Sequence, residues 1–292
     1  MADLVSVCIP TYNGEKYLQE ALDSVKKQTY TNIEVIISDD QSRDNTIYIC
    51  EEFKNEVAFP VYIYKHVPQG IGANWNNTLR KANGKYIKFL FQDDILTSDC
   101  IEKMVNILEI NTKIKFVACK RNFIDSSENL DRESIAQWIK KFNDLQSQFS
   151  FDTSKEYNVI TKDLFRKDYF LTIPNNKIGE PSAVMFETSI LDKIGYFNME
   201  LKQTLDYEYW YRVLLRYDIA ITSKPYVYFR LHDLQETNIN ATRKIDDYKY
   251  YEKFQYQKLF LHVQRKRQYY LLKKYNPLFI YLINIYRKIR FS

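Results

Sequence analysis

Apolar and polar positions alternate along the first hundred residues in two distinct rhythms. Short apolar, β-branched runs at Leu4–Ile9, Ile33–Ile37, Val61–Tyr64 and Tyr86–Phe91 read as strands buried on both faces. Between them, Glu15–Lys27 places Tyr17, Leu18, Ala21, Leu22 and Val25 at helical spacing, and Asp44–Lys54 and Asn74–Lys81 read as further helices. Strand and helix alternate over short links, which predicts an α/β fold with a mainly parallel sheet and helices on both faces. A helix at Ile101–Asn111 and a strand at Lys115–Cys119 continue the pattern. Residues 121–178 are less regular, with a helical stretch at Arg132–Phe149, and read as an insertion over the site. Beyond it come a strand at Pro181–Phe186, a helix at Tyr207–Leu215 and a strand at Tyr226–Phe229.

In an open parallel sheet, ligands bind at the carboxyl ends of strands near the switch in strand order. Polar groups cluster at those ends: Pro10-Thr11-Tyr12-Asn13 after the first strand, Asp39-Asp40 after the second, and Gln92-Asp93-Asp94 after the fourth. Taken alone, each acidic pair also suits a helix cap or turn. No Gly-x-Gly-x-x-Gly follows the first strand, which argues against a dehydrogenase.

Three segments carry a specific resemblance. Val5-Ser-Val-Cys-Ile-Pro-Thr-Tyr-Asn-Gly-Glu-Lys-Tyr-Leu18 resembles the opening of family 2 glycosyltransferases. Glu34-Val-Ile-Ile-Ser-Asp-Asp-Gln-Ser-Arg-Asp44 resembles their second motif, and Gly84-Lys-Tyr-Ile-Lys-Phe-Leu-Phe-Gln-Asp-Asp94 their metal motif. The resemblance implies a GT-A fold, with a nucleotide-sugar half at about residues 1–100 and an acceptor half at about 101–240. It also implies inverting transfer from a nucleotide-diphosphate sugar, a UDP-sugar foremost, to a glycan or lipid-linked acceptor of the bacterial surface-polysaccharide type. Thr11, Tyr12, Asp39, Asn74 and Asp93 would bind the donor, and Asp94 would ligate Mn²⁺ or Mg²⁺ on the diphosphate. Hard oxygen ligands suit such an ion, which neutralises charge on the leaving group.

Two positions depart from the family pattern. Phe91 stands where an acid commonly opens the metal motif, and Trp75 stands where the segment Gly70–Asn76 often carries Arg. Trp75 could stack on a base or sugar, or pack along the helix face. Downstream, Gly179-Glu-Pro-Ser-Ala-Val-Met-Phe186 resembles the strand bordering the acceptor, with Glu180 a wall of that pocket. Asp206, in Leu205-Asp-Tyr-Glu-Tyr-Trp210, matches the family's catalytic base. Glu208 is the second acceptor-side acid, with an exposed helix position as its plainer reading. Of three histidines, His232 resembles a late family His that can join the metal.

Charge changes the picture at the other end of the chain. The formal net charge is +5, yet residues 253–292 hold ten Lys/Arg and no acid, leaving the first 252 residues at −5. The segment 241–292, basic and aromatic-rich, reads as helical, and its partner is an anionic membrane surface, the catalytic domain itself, or a second copy in a homodimer. No recognised nucleic-acid module accompanies the charge. Four scattered cysteines without ligand spacing point to buried thiols in a reducing compartment. With no basic leader and no run of about twenty apolar residues, the expected location is cytoplasmic, or peripheral on the inner face of the membrane. The rival of another class is a non-catalytic nucleotide-sugar or carbohydrate-binding module on the same fold.

Overall fold

A computed structural model describes residues 2–126, 132–172, 174–233, 235, 240, 245 and 247–290. Its first half runs β1 (Val5–Thr11), α1 (Leu18–Lys26), β2 (Ile33–Asp39), α2 (Thr46–Glu56), β3 (Val61–Lys65), α3 (Ile71–Lys81) and β4 (Tyr86–Phe89). These four strands pair in parallel in the order β3-β2-β1-β4. The chain therefore moves outward from β1 through β2 to β3, then returns to β4 on the other side of β1. That reversal places the switch point between the carboxyl ends of β1 and β4.

The second half comprises β5 (Ile95–Leu96), α4 (Cys100–Ile110), β6 (Phe116–Asp125), α5 (Arg132–Phe142), β7 (Tyr157–Ile160), β8 (Val184–Glu187), α6 (Ile190–Ile194), α7 (Leu205–Leu214) and β9 (Ile219–Leu231). β8 pairs antiparallel with β4 and β6, while β6 and β9 run parallel. β5 and β7 each pair antiparallel with β9, so the sheet is parallel across β1 to β4 and mixed beyond them. Residues 121–178 are more than an insertion, because β6 continues to Asp125 and β7 joins the sheet. Both β6 and β9 outrun the expected strands; polar residues such as Lys120, Asn122 and Thr222 hid the pairing from a pattern reading.

Alternation along β1 divides the core. Val5, Val7 and Ile9 face one layer with Leu18, Leu22, Phe53, Met104 and Val105, and Cys8 faces the other with Trp75, Phe89, Trp210 and Tyr211. α1, α2 and α4 thus cover one face, α3 and α7 the other. Gly84 lets β4 lie close on β1, since a Cβ there would stand 2.6 Å from Ser6 N. All four cysteines are buried thiols.

The tail forms α8 (Asp247–Phe254), a π-turn at Gln255–Leu259, α9 (Arg265–Tyr275) and α10 (Pro277–Arg290). Tyr251, Phe254, Leu259, Val263 and Leu271 belong to the same core cluster as α7. Residues 241–244, where the boundary of the tail was expected, and the side chains of Arg287 and Lys288 lie outside the described residues. Among the described residues no helix is long and apolar enough to cross a membrane.

Candidate active site

Two loops meet at the switch point. After β1 the chain turns through Asn13, whose φ of 47° is left-handed, and after β2 through Gln41 at φ 59°. Both are uncommon for residues other than glycine, and the loops that contain them are tied together by side-chain bonds. Asn13 N donates to Ser42 Oγ at 2.8 Å, and Asn13 Oδ1 accepts from Arg43 N at 2.9 Å. Asp39 is the anchor: its carboxylate accepts from Thr11 Oγ1 (2.9 Å), Ser42 N (2.8 Å) and Ser42 Oγ (2.5 Å). Thr11 and Asp39 are buried, whereas the Tyr12 ring is 56% exposed beside them.

Gln92 closes the third side by accepting from Tyr12 N at 2.9 Å and donating to Tyr12 O at 3.1 Å. Asn74 donates to Thr11 O at 3.2 Å, and its buried Oδ1 has no hydrogen-bond partner among the described residues. Four of the five expected donor residues, Thr11, Tyr12, Asp39 and Asn74, therefore converge, and Asp93 follows directly on Gln92. Trp75 is not part of this surface. Its ring is 5% exposed and packs 4.9 Å from Phe91 and 5.2 Å from Phe197, the helix-face alternative.

The acidic turn Asp93-Asp94 is gripped from β9. Arg230 N donates to Asp94 Oδ1 at 3.1 Å and Arg230 Nε to Asp93 O at 2.9 Å. The guanidinium also bonds Ser126 Oγ and Glu20 Oε2 at 2.8 Å each, and lies 4.6 Å over the Tyr17 ring. Two residues on, His232 Nε2 lies 2.9 Å from Asp93 Oδ2. Arg230 is the site residue that pattern reading passed over; its one signal was a cation closing an apolar strand just before His232.

Asp94 is buried, and its Oδ2 has no hydrogen-bond partner among the described residues. Burial first, then the neighbouring Asp93 charge, hold its carboxyl well above the usual carboxylate range. A buried carboxyl oxygen left without a donor is costly, and a cation would relieve it. No cluster of three or more His, Cys, Asp or Glu side chains converges among the described residues. Asp94 could still contribute a carboxylate to an ion such as Mg²⁺ or Mn²⁺, which takes one or two carboxylates and completes its shell with phosphate and water.

Glu180, whose charge acts on Asp94, also acts on Asp206 in the first turn of α7. Asp206 Oδ2 accepts from Asn176 Nδ2 at 2.9 Å, and its buried Oδ1 has no hydrogen-bond partner among the described residues. Burial pushes the carboxyl up to about 7, and the Glu180 charge adds to it against the local backbone donors. Glu180 Oε2 lies 2.9 Å from Arg121 Nε, an ion contact without the alignment of a hydrogen bond. The segment around it is tied to α7, with Trp210 Nε1 donating to Gly179 O at 3.0 Å and Tyr211 Oη to Asn175 O at 2.6 Å.

Glu208 corrects the exposed-helix reading. It is 3% exposed and bonded by Arg212, with Nε on Oε1 at 3.0 Å and Nη2 on Oε2 at 3.1 Å. Arg212 also donates to Ile194 O and Tyr196 O, so the pair joins α7 to the end of α6. One residue before Asn176, Asn175 borders a cavity of about 380 Å³ lined also by Leu171, Tyr248, Tyr251, Gln255 and Arg267.

A parallel sheet in the first half, polar groups at its switch point and an acidic turn beside a second, mixed half make up a GT-A architecture. The sequence profile of glycosyl transferase family 2 matches residues 6–174, and the chain belongs to that family. An uncharacterized glycosyltransferase of Rickettsia typhi is 30% identical over 84% of this chain and 69% of its own length. The glycosyltransferase GlyG of Streptococcus pneumoniae is 36% identical over 69% of this chain and 70% of its own. Among solved structures, S. aureus TarS 1–349 in complex with UDP-GlcNAc aligns at TM-score 0.65 with 21% identity, over 93% of this chain and 71% of that one. The mannosyltransferase PcManGT of Pyrobaculum calidifontis, with GDP-Man and Mn²⁺, aligns at 0.55 with 19% identity, over 90% and 63%. At these identities the structural likeness establishes the fold.

Proposed function

We propose that this enzyme transfers a sugar, with inversion, from a nucleotide-diphosphate sugar to a hydroxyl of a glycan or lipid-linked acceptor. The observation that carries the reading is Asp206: a buried carboxyl in the first turn of α7, bonded by Asn176 through one oxygen, with the other lacking a hydrogen-bond partner among the described residues, and raised to about 7. A general base works best with a pKa near the operating pH.

In this reading residues 1–100 hold the donor, 101–240 the acceptor, and 241–292 buttress the acceptor side. The exposed Tyr12 ring supplies a surface for the base. Thr11 and Asp39 act by ordering the two loops, Asn74 Oδ1 receives a donor hydroxyl, and Asp93 faces the ribose. Asp94 and His232 would hold Mn²⁺ or Mg²⁺, which neutralises the diphosphate as it leaves. Asp206 Oδ1 takes the acceptor proton as the acceptor oxygen bonds to the anomeric carbon and the bond to the diphosphate breaks. Glu180 walls the acceptor and, with burial, keeps Asp206 basic enough to accept a proton. Glu208, committed to Arg212, takes no part in proton transfer. The donors named with the structural neighbours carry UDP or GDP, and a UDP-sugar is the first to test. The enzyme would act in the cytoplasm at the inner face of the membrane, where lipid-linked acceptors are built.

The test is release of nucleoside diphosphate from a panel of UDP- and GDP-sugars with and without chelator. Release should require Mn²⁺ or Mg²⁺ and should collapse in Asp94→Ala with the fold retained. Donor binding without any turnover across the panel, acceptors included, would instead favour a non-catalytic binding module.

A further inference from the structure

The tail divides into two parts with different surroundings. α8, the π-turn and α9 give Tyr251, Phe254, Leu259, Val263 and Leu271 to the core, and are structural. α10 is different. Phe279, Ile280 and Ile283 turn half-buried toward the protein, with the Phe279 ring 5.6 Å from Tyr269. Leu278, Tyr281, Leu282 and Ile285 are 67%, 62%, 53% and 37% exposed. Their spacing of three, four and seven residues makes one continuous stripe along the outer face. A helix whose inner face is already packed has no need of a second apolar stripe for folding. Large apolar side chains in contiguous array on a surface mark a site of contact.

We infer that the outer face of α10 is a membrane-docking surface for anionic lipid. Charge selects the occupant. No acid follows Glu252 in the chain, and Arg265, Lys266 and Lys273 on α9 are exposed. Two copies of residues 253–292 brought face to face would oppose ten basic residues with ten more, of which Glu252 pairs only Arg267 and Lys274 within each chain, and this penalises a self-interface. An anionic bilayer reverses that sign and takes up the apolar stripe as well. Spanning is excluded by length: fourteen residues reach about 21 Å as a helix, short of the roughly 30 Å hydrocarbon core. The helix therefore lies in the interface plane, its stripe sunk among the acyl boundary and its packed face toward the enzyme. This surface deepens the peripheral placement proposed above but is independent of the catalytic residues, so vesicle and transfer assays fail separately.

The experiment is co-sedimentation of the full chain with phosphatidylcholine vesicles, with and without phosphatidylglycerol, at low and high salt. Full chain should partition at least about tenfold more onto anionic vesicles and lose most of that in high salt. L278Q/L282Q should lower binding by about tenfold, the loss of two inserted apolar side chains, with Tm and donor hydrolysis in solution unchanged. R265Q/K266Q should reduce the salt-sensitive part alone. Equal binding to both vesicle types overturns the inference. So does an L278Q/L282Q chain that keeps full lipid binding, or one that merely converts a dimer to a monomer in the absence of vesicles.

Discussion

Asp206 lies in the first turn of α7, where the helix dipole and nearby backbone donors favour its anion. Burial outweighs them and raises the carboxyl to about 7. The anion is the form that accepts a proton, so activity should be present above that pH and lost below it. For the free enzyme, kcat/KM should climb about tenfold per pH unit below the pKa and level off above it. Asp206→Asn keeps the Asn176 contact and removes the basic oxygen. Turnover should fall by about 10²–10⁴-fold, leaving donor affinity intact and the pH limb abolished. Steady-state pH profiles of both proteins decide it, and a variant that keeps the wild-type limb would move the base elsewhere. The residue type and family position of Asp206 were legible in the sequence. Its raised pKa was not, because that depends on burial and on Glu180 arriving from a segment far away in the chain.

At the scale of elements, α3 illustrates how one helix serves two ends. Asn74 faces the β1 terminus, while the next residue, Trp75, is turned into the aromatic cluster of Phe89, Phe91 and Phe197. Two successive side chains on a helix diverge by about 100°, so one can line a site while its neighbour fills the core. Trp75→Ala should cost about 3–5 kcal/mol of stability, the usual price of emptying a large aromatic site. Trp75→Phe should recover most of it, and donor KM should change little in either. Thermal melts beside donor titrations separate this from a stacking role, which would raise KM without lowering Tm. Helical period identified α3 from sequence, but the face each residue takes required knowing what lies above β4.

Across the whole molecule, the tail is tied to α7 by a carboxylate as well as by apolar packing. Asp247 Oδ2, at the start of α8, accepts from Lys202 N (2.9 Å), Gln203 N (2.7 Å) and Thr204 N (3.0 Å), the three amides that lead into α7. Tyr251 then packs edge-on against Tyr207, with ring centroids 5.0 Å apart, beside Asp206. Asp247→Ala leaves those amides without their acceptor; that of Thr204 is buried, where an unsatisfied donor costs about 1–3 kcal/mol, and the other two are partly solvated. Relaxation and water will recover part, so the expected loss is a few kcal/mol in denaturant titration, accompanied by reduced kcat. An Asp247→Ala protein with wild-type stability and rate would show that the tail and α7 are independent. Likewise, the basic composition of the tail could not reveal its division, since α9 and α10 are both rich in aromatic and apolar residues and only packing distinguishes them.

The local signals that the sequence determined by itself were those that act over a few residues. β-branched runs made the strands β1 to β4, helical period made α1 to α4, and polar strand ends marked Thr11, Tyr12, Asp39, Asp93 and Asp94. The tertiary structure decided what depends on distant partners. It set β7 and the long β9 into the sheet, gave Glu208 to Arg212 and buried Trp75. It also brought Arg230 from β9 onto the acidic turn, across 136 residues of chain. Periodicity reports which face of an element is apolar; which element covers that face, and which charges meet there, is settled only when the chain closes on itself.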